Sequence, residues 1–348
     1  MIFFRMTKID RFFSIYKQIA LNYSWKRILV IIKKNKSKKA IDFVNSQNKN
    51  NMKLCIILIG FGLFPILTFA QSDFYSLNYQ PMELSGSTQG CFDNFDRKLK
   101  VPGDLTIAVA LGYSDTIDEH ADIVTDQFLL NTLKYQITGA CKYDNQGFCG
   151  FTVVSEEPHK PYSYTRDIYN LNHQKITANL HIMSSSYDFS NRANQTTFKT
   201  EQNEKSNSAI NFYGWALKNA DIVFYEGHSR DGGGPDFSPP RKASSGKVDY
   251  SWYRLNQPGF KFLINSLSDA DQSPMTLGLF SCASKVHFQD KLSKMVPQTN
   301  LILSTKVVEA QYSKKALLES IESVLNFECG SQLERRLKGT SFILKKGI

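Results

Sequence analysis

Two short apolar segments each end in a residue that can take part in acid–base or nucleophilic chemistry. Residues 220–226 lead through Gly227 to His228, and residues 275–281 lead to Cys282, 54 positions further along the chain. A cysteine thiolate attacks carbonyl carbon, and a neighbouring imidazole can take the thiol proton or stabilise the thiolate. The pair therefore predicts a cysteine-dependent hydrolytic site built on Cys282 and His228.

Such a site needs structural elements that bring the two side chains together. A short apolar run that stops in a Gly-rich turn is typical of a buried parallel strand, and open α/β sheets place their sites at the carboxyl ends of these strands. Further strand patterns alternate with helical ones, at 105–111, 121–135, 208–218, 259–267, 287–295, 300–305 and 313–327. This alternation predicts an α/β fold, a three-layer αβα sandwich with a mostly parallel sheet, over residues 101–348.

Three segments lack clear strand or helix patterns. Residues 71–100 are polar and rich in turn residues, and we expect an irregular N-terminal arm. Residues 184–206 are rich in Ser, Asn and Gln, which predicts a long polar loop. Residues 235–249 follow the glycines after His228, and we expect an exposed loop that contacts the substrate.

The N-terminal region has the three parts of an export signal. Lys53 precedes an uncharged apolar run at 54–70, which ends with small residues at Thr68 and Ala70. We expect 52–70 to be a signal peptide for a periplasmic or secreted protein, with a retained membrane anchor at 54–70 as the alternative. Residues 1–51 form a basic upstream segment that could lie outside the translated protein.

The positive charge of the chain is confined to this region. The first 53 residues hold 13 Lys and Arg and two acidic residues, so they carry +11, and the remainder carries −1. The remainder shows no basic stripe interleaved with aromatic residues, which argues against a nucleic-acid partner. We expect no cofactor or metal, although Asp231, Asp236 and the carbonyls of the glycine turn leave a calcium site as an alternative.

The cysteines give a second argument for Cys282. Export favours disulfides, and five cysteines follow the signal segment, so one is left over. Cys141 and Cys149 flank a polar turn that a disulfide could close, and Cys91 could pair with Cys329. On this hypothesis Cys282 is the free thiol, the alternative being that Cys282 is a small buried hydrophobic residue.

The order of a strand ending in histidine and a later strand ending in cysteine resembles the caspase-like cysteine peptidases, over roughly residues 104–305. The caspase spacing of about 50 residues fits this chain. The resemblance implies that Cys282 is the nucleophile, that His228 is the acid and base, and that backbone amides near Ser229 and Gly227 stabilise the oxyanion. It implies a protein or peptide substrate. The substrate side chain before the cleaved bond would contact the segment that follows the helix after Cys282, at Thr305, Lys306 and Glu309. Lys306 would favour an acidic side chain, and Glu309 a basic one.

Two other functions fit the same residues. Ser229 stands where caspase-like enzymes usually have glycine, which favours an inactive binding or structural protein on the same scaffold. The stretch from Gly227 to Asp231 also overlaps the nucleophile elbow of α/β-hydrolases, without its final glycine. A serine esterase would use Ser229, with His287 as the only later histidine.

Overall fold

The computed structural model describes residues 82–85, 103–115, 122–141, 148–169, 173–308, 310–329 and 332–337. All of them belong to one compact unit, Gln71–Ile348. The predictions for residues 1–51 and 52–70, for Cys91 and for Glu309 lie outside the described residues. Among the helices in the described ranges, none has the length and apolar character needed to cross a membrane.

The described elements alternate between strands and helices through most of the chain. The strands are β1 (Met82–Ser85), β2 (Leu105–Leu111), β3 (Thr152–Ser155), β4 (Tyr162–Tyr169), β5 (Lys175–Ser184), β6 (Ile222–Glu226), β7 (Thr276–Phe280) and β8 (Asn300–Ser304). The helices are α1 (Asp126–Thr138), α2 (Asn191–Gln195), α3 (Lys199–Asn219), α4 (Tyr250–Asn256), α5 (Pro258–Ser268), α6 (Ser284–Met295) and α7 (Ala310–Leu325).

The strands form one sheet in the order β1-β8-β7-β6-β2-β5-β4-β3. The five strands from β8 to β5 are parallel, and antiparallel pairs extend the sheet at both edges. The chain goes from β2 to β5 on one side and later to β6 on the other side of β2. This reversal of strand order is the switch point at which open α/β sheets bind ligands.

Each face of the sheet is covered by helices and by its own apolar core. Alternate residues of a strand point to opposite faces, so one strand contributes to both cores. On the first face β2 packs with α1 and α7, through residues that include Ile107, Val109, Leu111, Leu129, Leu133, Leu317 and Ile321. On the second face β2 and β6 pack with α3, α5 and α6, through residues that include Ala108, Ala110, Val223, Leu217, Leu263 and Phe288. The predicted α/β fold with a mostly parallel sheet and helices on both faces is confirmed.

Local signals explain where α4 and α5 begin. The Asp249 carboxylate accepts a hydrogen bond from the backbone N–H of Trp252 at 3.0 Å and caps α4. Gln257, in the left-handed region with φ +46°, ends α4, and Pro258 then opens α5 with its fixed φ. Only Gln257 therefore separates the two helices, and the Phe260 N–H at the start of α5 donates to the Gly233 carbonyl of the loop after His228 at 2.9 Å.

The prediction of a long loop at 184–206 is wrong, because α2 and the start of α3 occupy its second half. Buried amide side chains take the place of apolar residues in this region. Asn194 bonds the backbone N–H and carbonyl of Asp188, and Gln202 bonds the N–H of Tyr187 and the carbonyl of Ser185. Polar residues that satisfy buried backbone groups hide the helix from a pattern based on apolar spacing.

Two strands were not expected. β1 lies within the 71–100 arm and pairs antiparallel with β8, with Leu84 opposite Ile302. β4 pairs along its whole length with β5, from Tyr162 opposite Ile182 to Tyr169 opposite Lys175. Both strands lie outside the parallel centre of the sheet.

Candidate active site

His228 and Cys282 follow two neighbouring parallel strands that are in register. Glu226, the last residue of β6, lies opposite Phe280, the last residue of β7, so the two candidate residues come two positions later on both strands. The Gly227 N–H donates to the Phe280 carbonyl at 3.4 Å and extends the pairing by one bond. The fold therefore brings His228 and Cys282 to the same carboxyl edge of the sheet, as the sequence predicts.

Cys282 stands on a tight turn between β7 and α6. Its half-buried thiol donates to the Val308 carbonyl, with 3.6 Å between sulfur and oxygen, and within the described chain no hydrogen bond joins it to the His228 ring. The next residue, Ala283, has φ +51°, and its N–H donates to the Lys306 carbonyl at 2.7 Å. The turn presents the thiol at the strand end and ties it to the segment after β8.

A buried pair of serines fixes this turn. Ser284 Oγ donates to the Leu279 carbonyl at 2.8 Å and accepts the Ser304 N–H at 2.8 Å. Ser304 Oγ in turn donates to the Ser281 carbonyl. These bonds satisfy backbone groups that the strand ends leave unpaired, so they hold β7, β8 and the start of α6 in one arrangement.

The cysteines divide as expected in the described ranges. Cys141 and Cys149 form a disulfide with a Cα–Cα distance of 5.1 Å, which closes the segment between α1 and β3. Cys329 is buried and disulfide-bonded, whereas the predicted partner Cys91 lies outside the described residues. Cys282 is the free cysteine of the described chain.

Asp115 holds the His228 ring, a contact that the sequence analysis missed. His228 Nε2 lies 3.2 Å from Asp115 Oδ1 and 3.4 Å from the Asp115 carbonyl oxygen, and Nδ1 has no hydrogen-bond partner in the described chain. An Nε2–H that donates to Asp115 leaves Nδ1 as the basic nitrogen. Asp115 lies four residues after the end of β2. The feature of the sequence that could have indicated this contact was a carboxylate close to the carboxyl end of a predicted strand.

The charge of Asp115 is stabilised by its neighbours. Burial acts to raise the pKa of this carboxyl, but the hydrogen bond with His228 and the charge of Arg230 outweigh burial and lower the pKa to about 2. Asp115 is therefore an anion at neutral pH.

Tyr225 positions the backbone that carries His228. Its buried hydroxyl donates to the His228 carbonyl at 2.9 Å and accepts the Asp236 N–H at 2.9 Å. A Cβ on Gly112 would lie 2.4 Å from this hydroxyl, and a Cβ on Gly227 would lie 2.6 Å from it. Both glycines are therefore needed for the close approach of the two strand ends around the Tyr225 hydroxyl.

Arg230 and Asp236 continue the polar cluster behind Asp115. The Arg230 Nε donates to Asp236 Oδ2 at 2.8 Å, and one terminal nitrogen donates to Asp115 Oδ1 at 3.0 Å. Burial alone would lower the pKa of Arg230, but the charges of Asp236 and Asp115 raise it, so the guanidinium is a permanent cation. The exposed loop predicted at 235–249 is only partly exposed, because Pro235, Phe237 and Pro240 are buried. The polar and glycine-rich residues around Arg230 gave no indication that this arginine is buried.

A second carboxyl lies at the carboxyl end of β6, two residues before the histidine. Glu226 is buried, and Ser313 of α7 donates to its Oε1 at 2.7 Å. Its Oε2 has no hydrogen-bond partner in the described residues. Burial raises the pKa of Glu226, partly offset by the Ser313 hydrogen bond and the Lys314 charge.

Two backbone amides are available near the strand ends. The N–H groups of Ser229 and Cys282 have no acceptor in the part of the chain that the structure describes, whereas the Gly227 N–H is used by Phe280. Ser229 does not have a positive φ, unlike Arg230 and Asp231 that follow it. Serine in place of glycine is therefore compatible with the backbone after His228.

The residues expected to meet a substrate side chain lie close to the Cys282 turn. Thr305 is half-buried and Lys306 is exposed, and the Lys306 carbonyl holds the turn through Ala283. Val307 is 70% exposed beside them. This segment forms an accessible wall next to the thiol, while Glu309 lies outside the described residues.

The calcium alternative is not supported by the contacts of the two aspartates. Asp231 forms an ion pair with Arg254, and Asp236 forms one with Arg230. No group of three His, Cys, Asp or Glu side chains in the described ranges could hold a metal ion.

The esterase alternative also finds no supporting contact. Ser229 is buried, and no hydrogen bond joins its hydroxyl to a histidine within the described ranges. His287, the histidine that this alternative would require, packs instead against Gly232 and Phe288.

Comparison with known proteins adds no further identification, because no protein-family model matches this chain and no curated protein matches it. The fold and the site are therefore described by their own geometry. They define an α/β protein with a free cysteine at one strand end, beside a histidine that an aspartate holds at the next.

Proposed function

We propose that this protein is a cysteine endopeptidase with a caspase-like fold, in which Cys282 is the nucleophile and His228 the general acid and base. The observation that carries the proposal is the register of β6 and β7, which places both residues at one edge of the sheet. Support comes from the free state of Cys282 and from the contact between His228 and Asp115. A structural cysteine would need neither an oriented histidine nor a turn that presents its thiol.

The reaction begins with a rotation of the Cys282 side chain away from the Val308 carbonyl and toward His228. Nδ1 of His228 takes the thiol proton, and the thiolate adds to the carbonyl carbon of the peptide bond. The N–H groups of Ser229 and Cys282 donate to the oxyanion that forms on the carbonyl oxygen. The charge of Asp115 stabilises the imidazolium through this step.

The imidazolium then donates its proton to the amide nitrogen as the carbon–nitrogen bond breaks. The amine product leaves, and the acyl group remains on sulfur as a thioester. A water molecule gives a proton to His228 and adds to the thioester carbon. The acid product leaves, and the thiol is restored when the proton returns to sulfur.

The substrate is a peptide or protein whose side chain meets the segment after β8. The exposed Lys306 favours an acidic side chain before the cleaved bond, and Glu309 favours a basic one. Variants Lys306→Ala and Glu309→Ala, compared on peptides with Asp or Arg at that position, separate the two preferences. If Lys306 faces the substrate, Lys306→Ala should lose the preference for Asp. If Glu309 does, Glu309→Ala should lose the preference for Arg.

We also propose that the protein is exported by residues 52–70 to the periplasm or beyond. The Cys141–Cys149 disulfide supports this proposal, since disulfides persist in oxidising compartments. N-terminal sequencing of protein from the cell exterior or periplasm should begin after Ala70. A start at or before Met52 would contradict cleavage.

The test of the dyad is the rate of iodoacetamide labelling at Cys282 in the folded protein, compared between wild type and His228→Ala. We expect rapid labelling of Cys282 in the wild type and a loss of roughly 10²-fold or more without His228. Peptide mapping by mass spectrometry locates the adduct. His287→Ala is the matched control, because its ring lies near the same loop but contacts Gly232 instead.

Slow labelling that His228→Ala leaves unchanged would contradict the proposal. The alternative of an inactive binding or structural protein on this scaffold would then stand. Fast labelling with no cleavage of any peptide in a library would also favour that alternative, because a reactive thiol alone does not hydrolyse a peptide bond. Cleavage that Cys282→Ala abolishes and Ser229→Ala retains is the result expected of the proposed enzyme.

A further inference from the structure

Arg230 lies in an unusual position for an arginine in a loop. Its side chain is only 2% exposed, and it is enclosed between the carboxylates of Asp115 and Asp236. Asp115 Oδ1 accepts a hydrogen bond from Arg230 at 3.0 Å and lies 3.2 Å from His228 Nε2, whose hydrogen-bond partner is the Asp115 carbonyl oxygen at 3.4 Å. Arg230 therefore bonds a carboxylate oxygen that also touches the ring of the candidate catalytic histidine.

The far side of this cluster is anchored to rigid elements. Asp236 Oδ2 accepts from the Arg230 Nε at 2.8 Å and from the Tyr253 hydroxyl of α4 at 3.4 Å. The backbone N–H of Asp236 donates to the Tyr225 hydroxyl of β6 at 2.9 Å. The position of Asp236 is thus fixed by a strand and a helix, so it can hold Arg230 in one orientation.

The backbone shows that the loop is shaped around this contact. Arg230 and the following Asp231 both have a positive φ, +44° and +55°, in a region that residues with a Cβ rarely adopt. Such conformations persist only where surrounding contacts determine them, and they concentrate at functional sites. Here the turn is closed by hydrogen bonds from the Gly233 N–H to the Arg230 carbonyl and from the Gly234 N–H to the Ser229 carbonyl, both at 3.1 Å, and the two ion pairs fix the Arg230 side chain.

A guanidinium can bond two carboxylates at once because its donors point in fixed, different directions. A lysine ammonium would supply the charge without this fork. If Arg230 served only to neutralise two buried acids, the geometry of Asp115 would be unimportant. Because Asp115 Oδ1 contacts both side chains, the guanidinium determines where the Asp115 carboxylate lies. The position of this carboxylate in turn determines the orientation of the His228 ring.

We propose that Arg230, held by Asp236, is a positioning residue that keeps Asp115 against His228 Nε2 and leaves Nδ1 facing Cys282. This inference rests on the proposed Cys282–His228 dyad. It adds two residues, Arg230 and Asp236, that touch neither the substrate nor the thiol. Their effect on the reaction is indirect, through the orientation and tautomer of one imidazole.

The test uses two variants of the full chain and two measurements. Arg230→Lys keeps the charge and removes the fork. The double variant R230Q/D236N removes one positive and one negative charge, so the net charge of the Asp115, Arg230 and Asp236 cluster is unchanged. The measurements are the Cys282 labelling rate and the His228 tautomer, observed by NMR of ¹⁵N-histidine protein and assigned by the signal lost in His228→Gln.

We expect the wild type to show one tautomer with the proton on Nε2. Both variants should lose this single tautomer, and Cys282 labelling should fall roughly tenfold or more toward the rate of His228→Ala. Arg254→Gln is the matched control, because it breaks an exposed ion pair with Asp231 in the same loop. This control should keep the wild-type tautomer and labelling rate.

A folded double variant that keeps the Nε2–H tautomer and the wild-type labelling rate would overturn the inference, because Arg230 would then only balance charge. If Arg230→Lys does not fold, the charge-balanced double variant still decides. If His228→Ala labels like wild type, the proposed dyad fails. The tautomer measurement then still shows whether Arg230 orients His228, so the two failures are distinguishable.

Discussion

His228 Nε2 lies 3.2 Å from Asp115 Oδ1, although the two residues are 113 positions apart in the chain. They are brought together because β2 and β6 are parallel neighbours, with Leu111 opposite Glu226 at their carboxyl ends. The contact lies at the switch point of the sheet, next to the β6–β7 pair that positions Cys282. Three strand ends therefore supply the aspartate, the histidine and the cysteine.

The first prediction concerns stability in acid. The pKa of Asp115 falls from its ordinary 3.8 to about 2 in the folded protein, so the folded state holds fewer protons than the unfolded chain between these values. The stabilisation is complete above about pH 4 and is lost as the pH falls toward 2. Asp115→Asn should lack this contribution, and its folded fraction should depend less on pH in that window.

Circular dichroism of both proteins between pH 5 and about pH 2 measures the effect. Asp269→Asn is the control, since Asp269 is exposed and forms a 3.4 Å ion pair with Lys218 on the surface. Acid unfolding curves of Asp115→Asn and wild type with the same shape would show that the Asp115 charge does not contribute in the folded state.

The second prediction concerns Glu226 and has the opposite sign. Burial raises the pKa of this carboxyl above its ordinary 4.5, so above that pH the folded protein keeps a proton that the unfolded chain has lost. Stability therefore falls as the pH rises through this window. Glu226→Gln, which cannot ionise, should gain stability relative to wild type at pH 8 and differ little at pH 4.

Urea unfolding at the two pH values measures this difference. The exposed Glu204 of α3 offers a control in Glu204→Gln, for which the difference from wild type should be the same at both pH values. The same stability difference between Glu226→Gln and wild type at pH 4 and pH 8 would contradict the prediction. The Glu226 carboxyl would then have more stabilising partners than its Oε2 shows in the described residues.

The third prediction concerns the serine pair that holds the Cys282 turn. Ser284→Ala removes the acceptor of the Ser304 N–H and leaves a buried donor unsatisfied. The expected loss is about 1–3 kcal/mol of unfolding free energy, measured by urea denaturation. Ser208→Ala, which removes only an exposed bond to the Glu204 carbonyl, should change stability by less than about 0.5 kcal/mol. Equal losses for the two variants would argue against a structural role for Ser284.

The sequence was sufficient to predict the parts of the fold that depend on apolar periodicity. Strands β2, β6, β7 and β8 are short apolar runs buried on both faces, so their composition alone identifies them. The ends of β6 and β7 then give His228 and Cys282 directly. That Cys282 is the free thiol followed from the odd number of cysteines after residue 70, together with the pairing hypothesised for the other four.

The contacts between distant loops could not be predicted in the same way. Asp115 is one carboxylate among many in the sequence, and only the order of the strands shows that it meets His228. Arg230 has the composition of an exposed loop residue, and it is buried because two acids from different places neutralise it. Asn194 in α2 and Gln202 in α3 make these helices hard to recognise in the sequence, because buried amide groups take the place of apolar ones.

The fourth prediction concerns Gly227, at the point where β6 turns toward His228. A Cβ at this position would lie 2.6 Å from the Tyr225 hydroxyl and 3.1 Å from Gly112 Cα, and the glycine has φ +158°. Gly227→Ala must therefore displace Tyr225, whose hydroxyl holds the His228 carbonyl. We expect a loss of about 1–3 kcal/mol in unfolding free energy, together with slower labelling of Cys282 in the folded protein.

Gly246→Ala separates crowding from backbone strain in this experiment. Gly246 also has a positive φ, +79°, but a Cβ there would meet nothing within 4 Å. Its substitution should destabilise by about 1 kcal/mol through the backbone alone and leave Cys282 labelling unchanged. If Gly227→Ala and Gly246→Ala behaved alike in both measurements, the close approach around the Tyr225 hydroxyl would not control the histidine. A labelling defect found only in Gly227→Ala would tie the reactivity of the thiol to the way β6 delivers His228.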